Sequence, residues 1–367
     1  MDLGSDLRTS TLSIMQAVKT NLTRLLGIRV PIVCAPMALG TNARTAVEVN
    51  RGGGFGFVGA GYRTPESLDQ DFAFLRASFP NLESHKPLPI GYGFIGWLLD
   101  KNEDVGKHLI DTVIGNGVQA IWLAFGNNLR FWVEYVRASP ANAREGRNHK
   151  PLIFIQATSV EEALVAANEW KVDVIVAQGG GTRWSQRHRA TLRAPLRRSS
   201  PRSHKTAPRR PCSPRAEWRL GHKPAAYLTL GASGVVLGTR FLLTPESPYT
   251  DAQKAALLAA RTAGSGRDRA DARIRLREGH GVLAGAHIDG RGLRNALVGD
   301  VEAGVDHATV QARWKAATEA GDSSYMVVWA GQGVALMKEI KPIKVRTTPS
   351  SHRDRTMMTT YLPTLAE

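Results

Sequence analysis

Residues 225–241 read AAYLTLGASGVVLGTRF, and the fold turns on how that stretch divides. Ala225, Ala226, Leu228 and Leu230 place apolar side chains on one face of a helix. Gly231, Ala232, Ser233 and Gly234 interrupt it, and Val235, Val236 and Leu237 form a short run with no polar face. Gly238 and Thr239 follow at once. A helix, a glycine turn, an apolar strand and a Gly-Thr pair make one unit of parallel α/β architecture. Glycine at such a strand end lets backbone N–H groups come up against an anion, and a threonine hydroxyl adds a donor. In a (β/α)8 barrel, phosphate groups are commonly held after the seventh and eighth strands, where this pair would stand. An ordinary strand-to-helix turn is the competing reading of the same residues.

Toward the amino terminus, the chain repeats the unit. Apolar runs at Val30–Cys34, Gly54–Val58, Pro89–Phe94, Ala120–Ala124, Leu152–Gln156 and Val174–Ala177 predict six further strands, alternating with helical stretches. Pro65 to Ala77 predicts one such helix, and Ser159, with Glu161 and Glu162 behind it, caps another. Near-continuous apolar strands alternating with helices mean a parallel sheet covered on both faces. An open doubly wound sheet is the alternative, but the first strand-to-helix turn lacks its glycine fingerprint. One strand–helix unit is wanting for a closed barrel, and the gap falls between Gly181 and Pro224. Residues 1–26 read as an N-terminal helical segment, with Leu12, Met15, Val18, Leu22 and Leu25 on one face, closing the barrel floor. The barrel then occupies 27–260, a C-terminal helical part 261–345, and a polar tail without expected order 346–367.

The net charge of +16 would suggest a nucleic-acid partner, but its distribution argues otherwise. Between Thr182 and Lys223 there are 13 Lys and Arg against the single acid Glu217, which places +12 of the +16 there. That stretch lacks the aromatic interleaving on which bases stack. Two cysteines, Cys34 and Cys212, offer neither a disulfide framework nor metal-ligand spacing, so a reducing, cytoplasmic setting is expected. No secretory signal or membrane-spanning run is read from the sequence.

Five motifs in order carry a resemblance. They are Ala35-Pro36-Met37, Gln178-Gly179, Gly231 to Gly234, Leu237 to Phe241, and the late run from Val328 to Gly333. Together they resemble the nitronate monooxygenase family, formerly called 2-nitropropane dioxygenases, from about Gly27 to about Lys341. The resemblance implies a flavin-containing (β/α)8 barrel that oxidises alkyl nitronates with dioxygen. It implies that Ala35, Pro36 and Met37 contact the ring of FMN, that Gln178 and Gly179 lie beside it, and that Gly238 and Thr239 hold the phosphate. Trp329 to Gly333 would help close the mouth over a small nitronate or nitroalkane. Related enoyl-thioester reductases share the barrel and FMN, and a flavin-binding relic without turnover is a further alternative.

One departure from the family is large. The resemblance calls for Gln-Gly-x-Glu-Ala-Gly-Gly-His after the sixth strand, the histidine taking the α-proton of the substrate, a task suited to neutral imidazole. Here residues 178–189 read QGGGTRWSQRHR and continue in Arg, Pro and Ser without hydrophobic periodicity. His188 lies among arginines and reads as solvated; no catalytic residue is assigned. Read one base forward from Gly181, the codons permit Glu-x-Gly-Gly-His at the family's spacing. In the other frame, Pro211 to Lys223 permits an apolar run followed by Gly-Gly-Met-Ala, resembling a seventh strand and its phosphate loop. The stretch from Thr182 to about Lys223 therefore reads as out-of-frame translation that disrupts one strand–helix unit. A second basic stretch, Arg261 to about Ala286, is a weaker instance of the same pattern.

Overall fold

The computed structural model describes residues 18–61, 63–146, 149–178, 222–260, 272–274, 290–331 and 333–343. The expectations for 182–221, most of 261–286, the tail from 346, the first half of the N-terminal helix and Gly179 fall outside those residues.

Seven strands, β1 (Ile32–Cys34), β2 (Phe55–Gly59), β3 (Leu88–Ile95), β4 (Val118–Ala124), β5 (Leu152–Ala157), β6 (Val174–Ala177) and β7 (Val235–Leu237), form one parallel sheet. Its order is β6-β5-β4-β3-β2-β1-β7. Sequence order runs unbroken from β1 to β6, and β7 then returns to pair with β1, with Ile32, Val33 and Cys34 opposite Val235, Val236 and Leu237. That pairing makes β7 the closing strand of a nearly complete (β/α)8 barrel. The step between β6 and β7 is where residues 179–221 enter.

Helices α1 (Asn21–Leu26), α2 (Ala43–Arg51), α3 (Pro65–Ser78), α4 (Gly96–Lys101), α5 (Glu103–Gly115), α6 (Leu129–Ala138), α7 (Val160–Asn168) and α8 (His222–Thr229) alternate with the strands. After β7 come α9 (Thr239–Leu242), α10 (Asp251–Ala259), α11 (Ala296–Glu302) and α12 (His307–Ala320), with a short antiparallel pair, Ala272–Ile274 against Gly290–Gly292. Local chemistry starts these helices. Thr64 and Ser67 cap α3 reciprocally, with Pro65 at its first turn, and Ser159 and Glu162 do the same for α7.

The N-terminal helix corrects the sequence expectation. Within the described residues it begins at Asn21, where Thr20 and Thr23 form a capping box. Leu22 and Leu26 are its buried apolar residues, while Leu25 is 37% exposed. Gly27, at φ 68°, ends it. Leu22 and Leu26 join the barrel-interior cluster, and the Gln119 amide donates to the Leu26 carbonyl at 3.1 Å, so the helix seals the amino-terminal end of the barrel. Leu230 departs as well: it is 48% exposed and lies past the end of α8.

Side chains alternate in and out along each strand. Val33, Phe55, Phe57, Trp122, Phe154, Val174 and Val176 face the interior, while Val58, Ile90, Tyr92, Ile121, Ile153 and Ile175 pack outward on the helices. Aromatic rings fill the middle. Phe57 meets Trp122 at 5.2 Å and Phe154 at 5.0 Å, edge to face, and Trp122 stacks on Phe154 at 5.9 Å. Such pairs contribute about 0.5–1.5 kcal/mol each beyond their buried area. The barrel is therefore plugged, and ligands have access only at its ends.

Candidate active site at the carboxyl face

The carboxyl ends of the strands, where barrels place their chemistry, are built differently from the middle. Small residues clear the space above the aromatic plug. Gly59, Gly93 and Ala124 take inward positions there. A Cβ on Gly93 would lie 2.2 Å from Pro36 Cβ, so the proline ring occupies the side-chain space this glycine leaves. A Cβ on Gly59 would lie 2.5 Å from the Met37 carbonyl oxygen. The segment after β1 thus folds inward over β2 and β3. The Met37 N–H donates to the Thr41 hydroxyl at 2.9 Å, and the Met37 carbonyl accepts from the N–H groups of Gly40 and Thr41, each at 2.9 Å.

On the other side of β1, the Ala35 N–H donates to the Leu237 carbonyl at 3.0 Å, extending the ladder to the residue before Gly238. Among the described residues, a Cβ built on Gly238 would meet only Met37 Sδ, at an ordinary 3.5 Å. Thr239 Oγ1 accepts from the Gly331 N–H at 2.8 Å, leaving its own proton to donate. The segment carrying Gly331 is pinned at alternate residues. The Trp329 N–H donates to the Tyr249 hydroxyl at 3.3 Å, and the Gln253 amide donates to the Val327 carbonyl at 3.3 Å. Val328 and Ala330 point the other way, into a cluster with Leu242, Leu243, Tyr249 and Met37. Burial pushes the Tyr249 phenol up to about 12, so it remains protonated at neutral pH.

Across the mouth, the Gln156 amide on β5 donates to the Gln178 side-chain oxygen just beyond β6. Both residues continue the inward row of their strands, after Phe154 and Val176. Cys34, by contrast, is fully buried on the outer side of β1 with Ile32 and Phe241, and burial pushes its thiol well up. Among the described residues, no group of His, Cys, Asp and Glu is arranged to hold a metal ion. Among the described residues, His85 and His149 precede β3 and β5, His108 lies on α5, and His222 and His307 open α8 and α12; none of these directly follows the carboxyl end of a strand.

A model described as nitronate monooxygenase matches residues 221–345. A nitronate monooxygenase of Neurospora crassa is 30% identical over 332 residues, covering 85% of this chain and 85% of that protein. The chain belongs to the nitronate monooxygenase family. Another member, nitronate monooxygenase npaC of Metarhizium robertsii, is 26% identical over 349 residues, 90% of this chain and 92% of that one. Two solved structures share the fold. Nitroalkane oxidase from Streptomyces ansochromogenes covers 88% of this chain and 94% of its own at TM-score 0.56 and 22% identity. FabK from Thermotoga maritima covers 89% and 93% at TM-score 0.57 and 20% identity. As a nitronate monooxygenase family member, the chain is an oxidoreductase. The family-model match begins at residue 221, near the far edge of the basic stretch.

Of the residues singled out in the sequence, the structure brings Ala35, Pro36, Met37, Gly238 and Thr239 together just past the carboxyl ends of the adjacent strands β1 and β7. Gln178 stands just beyond β6, at the other edge of the sheet, and Gly179 and His188 lie outside the described residues. Gln156 was not singled out. Its signal was available, as the polar end of an inward row that begins Leu152, Phe154. Tyr249 carried no comparable signal, since its bond to Trp329 spans 80 residues.

Proposed function

We propose that this chain is an FMN-dependent oxidoreductase that oxidises alkyl nitronates with dioxygen, with its catalytic histidine displaced by the reading frame of residues 182–223. The observation that carries the reading is the junction of β1 and β7. Through it, the Ala35–Met37 segment and the Gly238–Thr239 pair become neighbours at the carboxyl-end mouth. Ala35, Pro36 and Met37, seated against Gly59 and Gly93, would hold one face of a flat ring. Gly238 and Thr239 would hold the phosphate with a backbone N–H and a hydroxyl, and Gln178 would lie beside the ring. FMN, when bound, supplies the capacity to take electrons from the nitronate and pass them to dioxygen. The chain's own task is to orient a small planar anion and to exclude water, and residues 327–331 are the proposed cover.

A nitroalkane must lose its α-proton before oxidation, whereas a nitronate has already lost it. General-base help is worth about 10²–10⁴-fold on such a step. Without the Glu-x-Gly-Gly-His motif, activity on nitroethane should fall by that order, and activity on ethyl nitronate by less. The seventh-strand loop would carry further phosphate contacts, so the chain as written should hold FMN weakly.

The test compares the chain with a version in which codons 181–223 are returned to frame. FMN content and oxygen uptake with ethyl nitronate and with nitroethane are measured on both. The reading expects both to rise together in the restored protein, nitroethane turnover most. Equal activity and FMN content in the two would show that 182–223 is native sequence. Restored FMN with no nitronate-dependent uptake, but NADPH oxidation with an enoyl thioester, would move the assignment to the related reductases.

A further inference from the structure

Alternation along β4 sends Trp122 and Ala124 into the barrel, so residue 125 should turn outward toward the helices. Phe125 does not follow. Its backbone is left-handed, at φ 58°, and its half-buried ring packs with the same interior cluster as Trp122 and Ala124. Two consecutive residues of the chain thus face inward.

A left-handed turn at a bulky residue is disfavoured and persists only where its surroundings enforce it. Two contacts enforce it here. The Trp97 N–H donates to the Phe125 carbonyl at 3.0 Å, tying β4 to the start of α4. Gly96 and Gly126 meet so closely that a Cβ on either would lie 2.7 or 2.8 Å from the other's Cα. Of the three non-glycine residues with positive φ among those described, a second, Leu39, also follows a strand at this face, where it is 72% exposed.

Position gives the ring its use. β4 stands four strands from β7 in the sheet, so Phe125 occupies the wall of the mouth opposite Gly238 and Thr239. Ile95, beside it on β3 in register with Ala124, continues the apolar wall. The amides of Gln156 and Gln178 follow on the next two strands.

We propose that Phe125 is the specificity-determining residue for the substrate's carbon chain, its ring held inward by an enforced left-handed backbone so that the alkyl group of a small planar anion packs on it. The assignment rests on the proposed function, and its test separates the two. Linear alkyl carboxylates from acetate to pentanoate serve as unreactive planar anions. Their affinity for the protein with FMN present is measured by titration calorimetry, alongside that of FMN itself. In the unaltered chain, each added methylene should tighten binding about fourfold, the value of a buried CH2. In Phe125→Ala the increment should fall below twofold, and in Phe125→Leu most of it should survive. Phe125→Gly should unfold in urea at or above the midpoint of Phe125→Ala, reversing the usual order of those residues, because glycine accepts the left-handed turn. FMN binding with an undiminished fourfold increment in Phe125→Ala would overturn the wall assignment alone. An alanine variant clearly more stable than the glycine one would overturn the enforced backbone. Binding of neither FMN nor any carboxylate to the chain with codons 181–223 returned to frame would overturn the functional reading, and the role of Phe125 with it.

Discussion

One methyl group added at Gly93 and one added at Gly238 should have opposite consequences. At Gly93 the new Cβ would lie 2.2 Å from Pro36 Cβ and 2.3 Å from Pro36 Cγ. Carbon atoms rest about 3.5–4.0 Å apart, so the overlap exceeds about 1 Å. The proline ring cannot rotate out of the way, since it is closed on its own backbone. The strand cannot yield either, because Gly93 is registered against Gly59 on one side and Trp122 on the other. Overpacking of this kind costs about 1–3 kcal/mol. At about 2–4 °C per kcal/mol, Gly93→Ala should lower Tm by roughly 2–12 °C and displace the Ala35–Met37 segment. At Gly238 the new Cβ would meet, among the described residues, only Met37 Sδ, at an ordinary 3.5 Å, so the cost to the fold should stay within about 1 kcal/mol. The methyl would instead occupy the approach to the backbone N–H, and losing one charge-assisted contact of about 1.5–3 kcal/mol should weaken FMN by about ten- to a hundredfold. Thermal denaturation and FMN fluorescence titration on the two variants check both halves. A Gly93→Ala protein as stable as the parent would refute the packing of Pro36 on β3. A Gly238→Ala protein that binds FMN like the parent would refute the phosphate site.

Tyr249→Phe removes the oxygen that receives the Trp329 N–H, and a buried donor left without its acceptor costs about 1–3 kcal/mol; a lower urea midpoint, with faster amide exchange across 327–331, is the expected result, and unchanged exchange there would count against the pinning of that segment. Burial holds the His149 imidazole below its ordinary 6.5, against the opposing pull of the Val118 carbonyl. The folded chain therefore resists protonating it, so this contribution to stability is whole above about pH 6.5 and is lost as pH falls toward the depressed value. Urea midpoints at pH 7.5 and 5.5 should differ more in the parent than in His149→Gln.

The strands were legible because a parallel strand buried on both faces leaves a plain record, an uninterrupted apolar run. Val174–Ala177 and Val235–Leu237 are the shortest such runs, and both form. Helix starts were legible where a side chain caps the backbone, as at Ser159. They were misjudged where periodicity and a cap disagreed, as at Thr20, because the cap satisfies backbone donors that the apolar spacing says nothing about. The pairing of β7 with β1 could be inferred only from closure, since nothing in either strand names its partner.

The site was less legible for a physical reason: it is built largely from the removal of side chains, and glycine is written the same way whatever it makes room for. A Cβ on Gly91 would strike the Phe57 ring at 2.2 Å, so that glycine serves the core. On Gly93 it would strike Pro36, so that one seats a motif of the rim. On Gly238 it would strike nothing among the described residues closer than 3.5 Å, so that one leaves a backbone open there. Three glycines of identical appearance therefore answer to packing, to positioning and to access, and only the neighbours tell them apart. Phe125 is the converse case. Its identity is visible in the sequence, but the inward turn that gives it a role depends on Gly96 and Gly126 meeting across 30 residues of chain, a constraint with no local trace.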